Sequence, residues 1–225
     1  MSQFQHIKQA AYHANMQLPE LGLVLFTFGN ASAADRERGV FAIKPSGVPY
    51  AELRPEEMVV IDFDNNLIEG EKRPSSDTKT HAVLYKHWKN IGGIVHTHST
   101  YATAWAQTQQ DIPILGTTHA DHLAVDIPCA PVMSDEMIKG DYEYQTGFQI
   151  LDGFKAKGLK PEEVEMVLVA LMLSDEIFDL RDQVDEQGGQ TDKSEAQKHD
   201  ELIIAQAIDH LADRIDTIAE RIKAA

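Results

Sequence analysis

Gly92-Gly93-Ile94-Val95-His96-Thr97-His98-Ser99-Thr100 is the stretch from which the rest of this chain can be read. A Gly-Gly turn running into Ile94 and Val95 predicts a buried strand, and two histidines spaced i, i+2 close it. Successive strand residues point to opposite faces, so His96 and His98 point the same way. Two imidazoles on one edge of a rigid strand make half of a facial metal site, because neutral imidazole nitrogen suits zinc and other late divalent metals. The same pattern also describes two hydrogen-bonded surface histidines. The surroundings tip the reading toward metal: Pro74-Ser75-Ser76-Asp77 lies upstream and Thr117-Thr118-His119-Ala120-Asp121 downstream.

Working outward, Phe4 to Leu18 carries apolar residues near helical spacing, and Pro19 is expected to stop that helix. Leu21 to Phe28 alternates as a strand would, and Gly29-Asn30-Ala31-Ser32 reads as a turn that can place backbone amides around a ligand. Val40 to Ile43 is a short β-rich run ending in the Pro45-Ser46-Gly47 turn, which puts Lys44 at a strand end. Met58 to Phe63 is a further strand, Asp64-Asn65-Asn66 a hairpin turn, and Leu67 to Glu69 its return. Thr80 to Trp88 and Tyr101 to Gln107 read as helices, and Ile112 to Leu115 as extended chain. This mixture of strands and helices predicts an α/β domain over residues 1–158.

Beyond it the composition shifts. Residues 151–225 hold 18 Asp/Glu against 9 Lys/Arg, a balance of −9 within a total of −16. Residues 159–225 are expected to form a helical segment: one helix from Pro161 to Gln187, a Gly188-Gly189 loop, and a last helix with a short heptad seam of Ile204, Ile208, Leu211, Ile215, Ile218 and Ile222. The seam can pair with a helix of another copy or pack on its own domain.

A chain of 225 residues is long enough for one sizeable core, or for one domain plus an appendage. The net charge of −16 and pI of about 4.9 argue against nucleic acid or an anionic membrane as a partner over most of the surface. A phosphate-bearing small molecule stays compatible with that charge, since backbone amides and a single lysine suffice for a local anion site. Cys129 is the only cysteine, so no intramolecular disulfide forms and a reducing cytoplasm is the expected compartment. The N-terminus lacks an apolar signal region, and no run approaches the roughly 18 apolar residues of a membrane span.

Five stretches, GNASAADRERGVFAIKPSGVPY, RPSSDT, IGGIVHTHS, AQTQQDIPILGTTHAD and GDYEYQTG, resemble the class II aldolase/epimerase family over residues 1 to about 150. The resemblance implies a sandwich of a mixed or antiparallel sheet with flanking helices, and a Zn2+-dependent homo-oligomer, with Mn2+ as an alternative ion. It also implies retro-aldol cleavage and re-addition on a phosphorylated pentulose. His96, His98 and Asp77 would ligate the metal. Gly29, Asn30, Lys44, Ser46, Gly47, Ser75 and Ser76 would hold the substrate, and Asp121 would be the acid/base group. Aldolases of the family carry Glu where Asp77 stands, so the resemblance favours an epimerase. Taken singly, Asn30, Ser75 and Ser76 are also ordinary turn residues, and Asp77 is also a helix N-cap.

The chain departs from the pattern at its C-terminal end. The family's third metal-binding histidine would fall near Ala170, and no tyrosine follows Tyr144, where the family has one close to its C-terminus. His119, His122 and Cys129 are candidate replacements for the missing ligand; Cys129 also reads as a buried structural thiol. Residues 164–225 resemble instead ZapA, a coiled-coil cell-division protein. The alternative to an epimerase is therefore a helical oligomerisation module carrying an inactive α/β domain.

Overall fold

The computed structural model describes residues 2–159 and 213–224. Its centre is a five-stranded sheet of β1 (Asn30–Asp35), β2 (Val40–Ile43), β3 (Val59–Asp62), β4 (Leu67–Glu69) and β5 (Gly93–His96). The order is β4-β3-β2-β1-β5, and every neighbouring pair is antiparallel. The helices of this part are α1 (Gln5–Glu20), α2 (Thr78–His87), α3 (Thr100–Gln107), α4 (Thr117–His122), α5 (Asp135–Lys139) and α6 (Tyr142–Ala156).

The strand period of two explains why Val-Phe-Ala-Ile reads as an unbroken apolar run. Val40 and Ala42 join Ile7 and Ala11 of α1 in one core, whereas Phe41 and Ile43 join Ala82 and Tyr85 of α2 in the other. The central strands β2 and β3 are thus buried on both faces. A further layer, α6, lies on α2 through Leu84, Ile150 and Phe154. Burying side chains of this size stabilises by about 1.5–3 kcal/mol each, so these three contact layers dominate the domain's cohesion.

Two local expectations are corrected. Leu21 to Phe28 forms no strand: Gly22, Phe26 and Gly29 all have positive φ (67°, 51° and 71°), so the chain turns three times where a strand needs extended backbone. Leu21, Leu25 and Phe26 are accordingly exposed. The turn expected at Gly29 to Ser32 is instead the start of β1, because Asn15 of α1 clamps Ala31 on both sides. Its Oδ1 accepts the Ala31 N–H at 2.9 Å, and its Nδ2 donates to the Ala31 carbonyl at 2.7 Å. A smaller correction concerns α1, which contains Pro19 in its last turn and ends at Glu20, one residue beyond it.

The helix expected from Pro161 to Gln187, the loop after it, and Ile204, Ile208 and Leu211 of the seam lie outside the described residues. Residues 213–223 are helical. There Ile215 and Ala219 are buried with Ala104 of α3, and Ile218 and Ile222 pack beside them. Among the described residues no helix is long and apolar enough to cross a membrane.

Candidate active site

Among the described residues β5 is an edge strand whose only strand neighbour is β1, where Asn30 pairs with His96. This register brings the first residue of β1 to the histidine end of β5. Gly29 makes the approach possible: a Cβ on it would lie 2.5 Å from Val24 Cγ1 and 2.8 Å from the His96 carbonyl oxygen. A second strap forms where Ser46 N–H donates to the Arg73 carbonyl (2.9 Å) and Ser75 N–H donates to the Lys44 carbonyl (3.1 Å). With Asn30 Nδ2 donating to Ser75 Oγ at 3.0 Å, three segments far apart in sequence, around residues 30, 45 and 75, are stitched together.

They surround a cavity of about 340 Å³. Gly29, Asn30, Lys44, Ser46, Gly47, Ser75, Ser76, Asp77 and His98 all line it, so every expected substrate-binding residue and two of the three expected metal ligands border the same cavity. The third, His96, sits against Asp77, with Nδ1 and Oδ2 2.8 Å apart, and its ring centroid is 4.8 Å from that of His98. Asp77 occupies the N-cap position of α2 but makes no side-chain cap hydrogen bond. Its Oδ2 faces His96 and also accepts from Asn30 Nδ2, so the carboxylate serves the cavity and not the helix end.

The electrostatics follow from burial. Lys44 is 2% exposed, and desolvation pushes its pKa down to about 8. Burial, with His96 beside it, pushes His98 down to about 3 against the pull of Asp77, so its imidazole is uncharged at neutral pH. Burial opposes ionisation of Asp77, yet the charge and hydrogen bond of His96, with smaller contributions from His81 and Asn30, hold that carboxyl well below the usual range. Close by, His81 Nδ1 and Tyr85 OH each lie 2.7 Å from Ser32 Oγ, a buried polar chain that satisfies groups which would otherwise be costly to bury.

The donor set suits a divalent cation chemically: an ionised carboxylate, a neutral imidazole and a second imidazole adjoin one another. Asn30 Oδ1 is buried at the same cavity without a partner. The side chains are closed on one another, however. Among the described residues no group of three or more His, Cys, Asp or Glu is spread to hold a metal, and an ion would have to take over the contacts that Asp77 makes with His96 and Asn30. Ala170 lies outside the described residues.

Asp121 is exposed on α4 and does not line the cavity. His119 on the same helix places Nε2 3.1 Å from the Val125 carbonyl oxygen. Cys129 is half-buried between Ala106 and Asp111. Sequence reasoning overlooked Arg73, Tyr142 and Glu143, which also line the cavity. All three stand inside the quoted motifs RPSSDT and GDYEYQTG, but only their position at the ends of elements reveals them.

L-ribulose-5-phosphate 4-epimerase UlaF of Salmonella paratyphi B is 55% identical over 148 residues, which cover 66% of this chain and 65% of that protein. UlaF of Salmonella typhi matches to the same extent, so the matched stretch spans just under two thirds of these relatives. Among solved structures, an L-fuculose 1-phosphate aldolase superposes with a TM-score of 0.57 at 23% identity, covering 99% of this chain and 98% of its own. The L-fuculose-1-phosphate aldolase of Thermus thermophilus gives 0.51 at 23%, covering 65% and 72%. Both likenesses speak to fold alone. The family match ends at residue 157 and lends the C-terminal resemblance to ZapA no support. Because the profile of the Class II Aldolase and Adducin N-terminal domain matches residues 9–157, about two thirds of the chain, the protein belongs to that family.

Proposed function

We propose that this chain is a metal-dependent sugar-phosphate epimerase that interconverts L-ribulose 5-phosphate and D-xylulose 5-phosphate by retro-aldol cleavage and re-addition. The observation that carries the reading is the single cavity that places Lys44, Ser46, Gly47, Ser75 and Ser76 beside Asn30, Asp77 and His98. The identity to UlaF epimerases supports the choice of substrate.

Breaking the bond between C3 and C4 of the pentulose separates an unphosphorylated three-carbon enediolate from glycolaldehyde phosphate. Inverting C4 then requires only that the aldehyde turn its other face before the bond reforms. The phosphate is the pivot of that rotation: the Lys44 ammonium, the serine hydroxyls and the Gly47 backbone hold it while the rest of the fragment moves. A Zn2+ or Mn2+ ion held by Asp77, His96 and His98 would stabilise the negative charge left on the three-carbon fragment. Asp121 is the proposed proton-transfer group at the C4 oxygen. Its exposure on α4 is compatible with service to the cavity of a second copy, and we propose a cytoplasmic homo-oligomer. The exposed Tyr101, Leu115 and Val132 offer apolar surface for such contacts.

The test is a coupled assay with L-ribulose 5-phosphate, run with added zinc or manganese beside a measurement of bound metal. Turnover is expected but reduced, because Ala170 stands where the family resemblance places a third histidine. Lys44→Ala should raise KM by about 10- to 100-fold, the worth of a charge-assisted contact. A protein that binds neither metal nor pentulose phosphate would be an oligomerisation module with an inactive domain.

A further inference from the structure

Tyr50 stands outside the cavity lining and is 7% exposed, in a small apolar cluster with Leu18 and Val24. Its hydroxyl oxygen lies 2.8 Å from the Phe28 carbonyl and 2.9 Å from the Gly29 carbonyl. A phenol has one hydrogen, so these two acceptors share it. The ring face meets the Lys44 ammonium with Nζ 4.9 Å from its centroid. Lys44 Nζ also donates to the Thr27 carbonyl at 3.3 Å, and no carboxylate pairs with it among the described residues. One side chain therefore both ties down the loop of residues 27–29 and faces the cation that this loop holds.

We propose that Tyr50 is a positioning residue of the anion site: its hydroxyl fixes the loop from Thr27 to Gly29, and its ring holds the Lys44 ammonium in place for a phosphate. This rests on the phosphate role assigned to Lys44 above. A carboxylate in the position of the ring would neutralise Lys44 and compete with an incoming anion. The ring quadrupole stabilises the ammonium without neutralising it, so the charge stays available to the ligand.

Two substitutions separate the two jobs. Tyr50→Phe keeps the ring and removes the hydrogen bonds; Tyr50→Leu removes both. Titration calorimetry with inorganic phosphate, L-ribulose 5-phosphate and unphosphorylated L-ribulose, with thermal melting alongside, reads the effect without requiring turnover. The expected result is a graded loss of phosphate affinity, about 10-fold for Tyr50→Phe and about 100-fold for Tyr50→Leu, with far smaller changes for L-ribulose. Leu18→Ala, which thins the same apolar cluster, is the packing control and should lower the melting temperature while phosphate still binds. Phosphate affinity unchanged in both Tyr50 variants, equal losses for all three ligands, or an equal loss in Leu18→Ala would overturn the assignment. Lys44→Ala in the same titrations separates the two levels of inference. If it abolishes phosphate binding while the Tyr50 variants retain it, only the role of Tyr50 falls; if phosphate binding survives Lys44→Ala, the phosphate site itself falls, and Tyr50's role with it.

Discussion

At the scale of single residues, Lys44 links burial to ligand binding most directly. Its pKa near 8 lies below the ordinary value of 10.5 because the folded chain desolvates the ammonium. Between those two values the unfolded state binds more protons than the folded one, so Lys44 makes the ligand-free protein more stable as pH rises from about 8 to 10.5. Ligand binding runs the opposite way. A phosphate monoester is already a dianion above its second pKa of roughly 6, so affinity should fall as Lys44 discharges through about pH 8. Calorimetric titration of L-ribulose 5-phosphate, a monoester, from pH 7 to 9.5 checks this, and a flat profile would remove Lys44 from the site. Gly29 carries a second prediction. At φ +71° and with Val24 and the His96 carbonyl so close, Gly29→Ala forces the β1 entry away from β5. It should cost about 1–3 kcal/mol in urea unfolding and loosen the cavity with it.

Among the secondary-structure elements, the close approach of α6 to α2 brings Tyr142 and Glu143 to the cavity rim. A Cβ on Gly147 would sit 2.7 Å from Val83 Cβ, closer than packed side chains allow, and Thr80 Oγ1 donates to the Glu143 carbonyl at 2.6 Å. Gly147→Ala should therefore destabilise by about 1–3 kcal/mol; an unchanged urea midpoint would mean that α6 can slide on α2 freely. The end of α2 is held by Arg36, whose guanidinium donates to the carbonyls of Tyr85, Trp88 and Ile91 at 2.7, 2.6 and 2.8 Å. Lysine cannot reproduce that fork, so Arg36→Lys should lower the same midpoint. These elements also mark where the sequence was legible. β2 and β3 could be read because an unbroken apolar run fits a strand buried on both faces, and α2 because Ala82, Leu84 and Tyr85 are core residues of a helix-length segment. β1 could not, since Asn-Ala-Ser-Ala-Ala-Asp has little intrinsic strand preference and owes its state to pairing on both sides and to the Asn15 clamp. Much of the cavity lining could be gathered from motifs, since residues of GNASAADRERGVFAIKPSGVPY, RPSSDT and IGGIVHTHS meet in it, whereas Asp121 of a fourth motif does not. Tyr50 could not: nothing in the spelling of PSGVPY tells that its last residue turns back on Lys44.

For the molecule as a whole, the question is what the isoleucine seam holds together. Its described part lies against the chain's own α3, with Ile215 buried beside Ala104. α3 begins two residues after His98, so this contact also braces the segment that carries that histidine. If the seam works within the chain, Ile215→Ala creates a cavity in a unimolecular core and should cost about 2–5 kcal/mol. That cost is independent of protein concentration. If the seam instead pairs copies, the same substitution removes part of an association energy, and the loss grows on dilution because subunit binding stabilises by mass action. Urea unfolding of the parent and of Ile215→Ala at two protein concentrations tenfold apart distinguishes the cases. The packing on Ala104 leads us to expect an equal shift in midpoint at both concentrations, accompanied by weaker metal binding as α3 loosens. A shift that appears only in the dilute sample would place the seam between subunits.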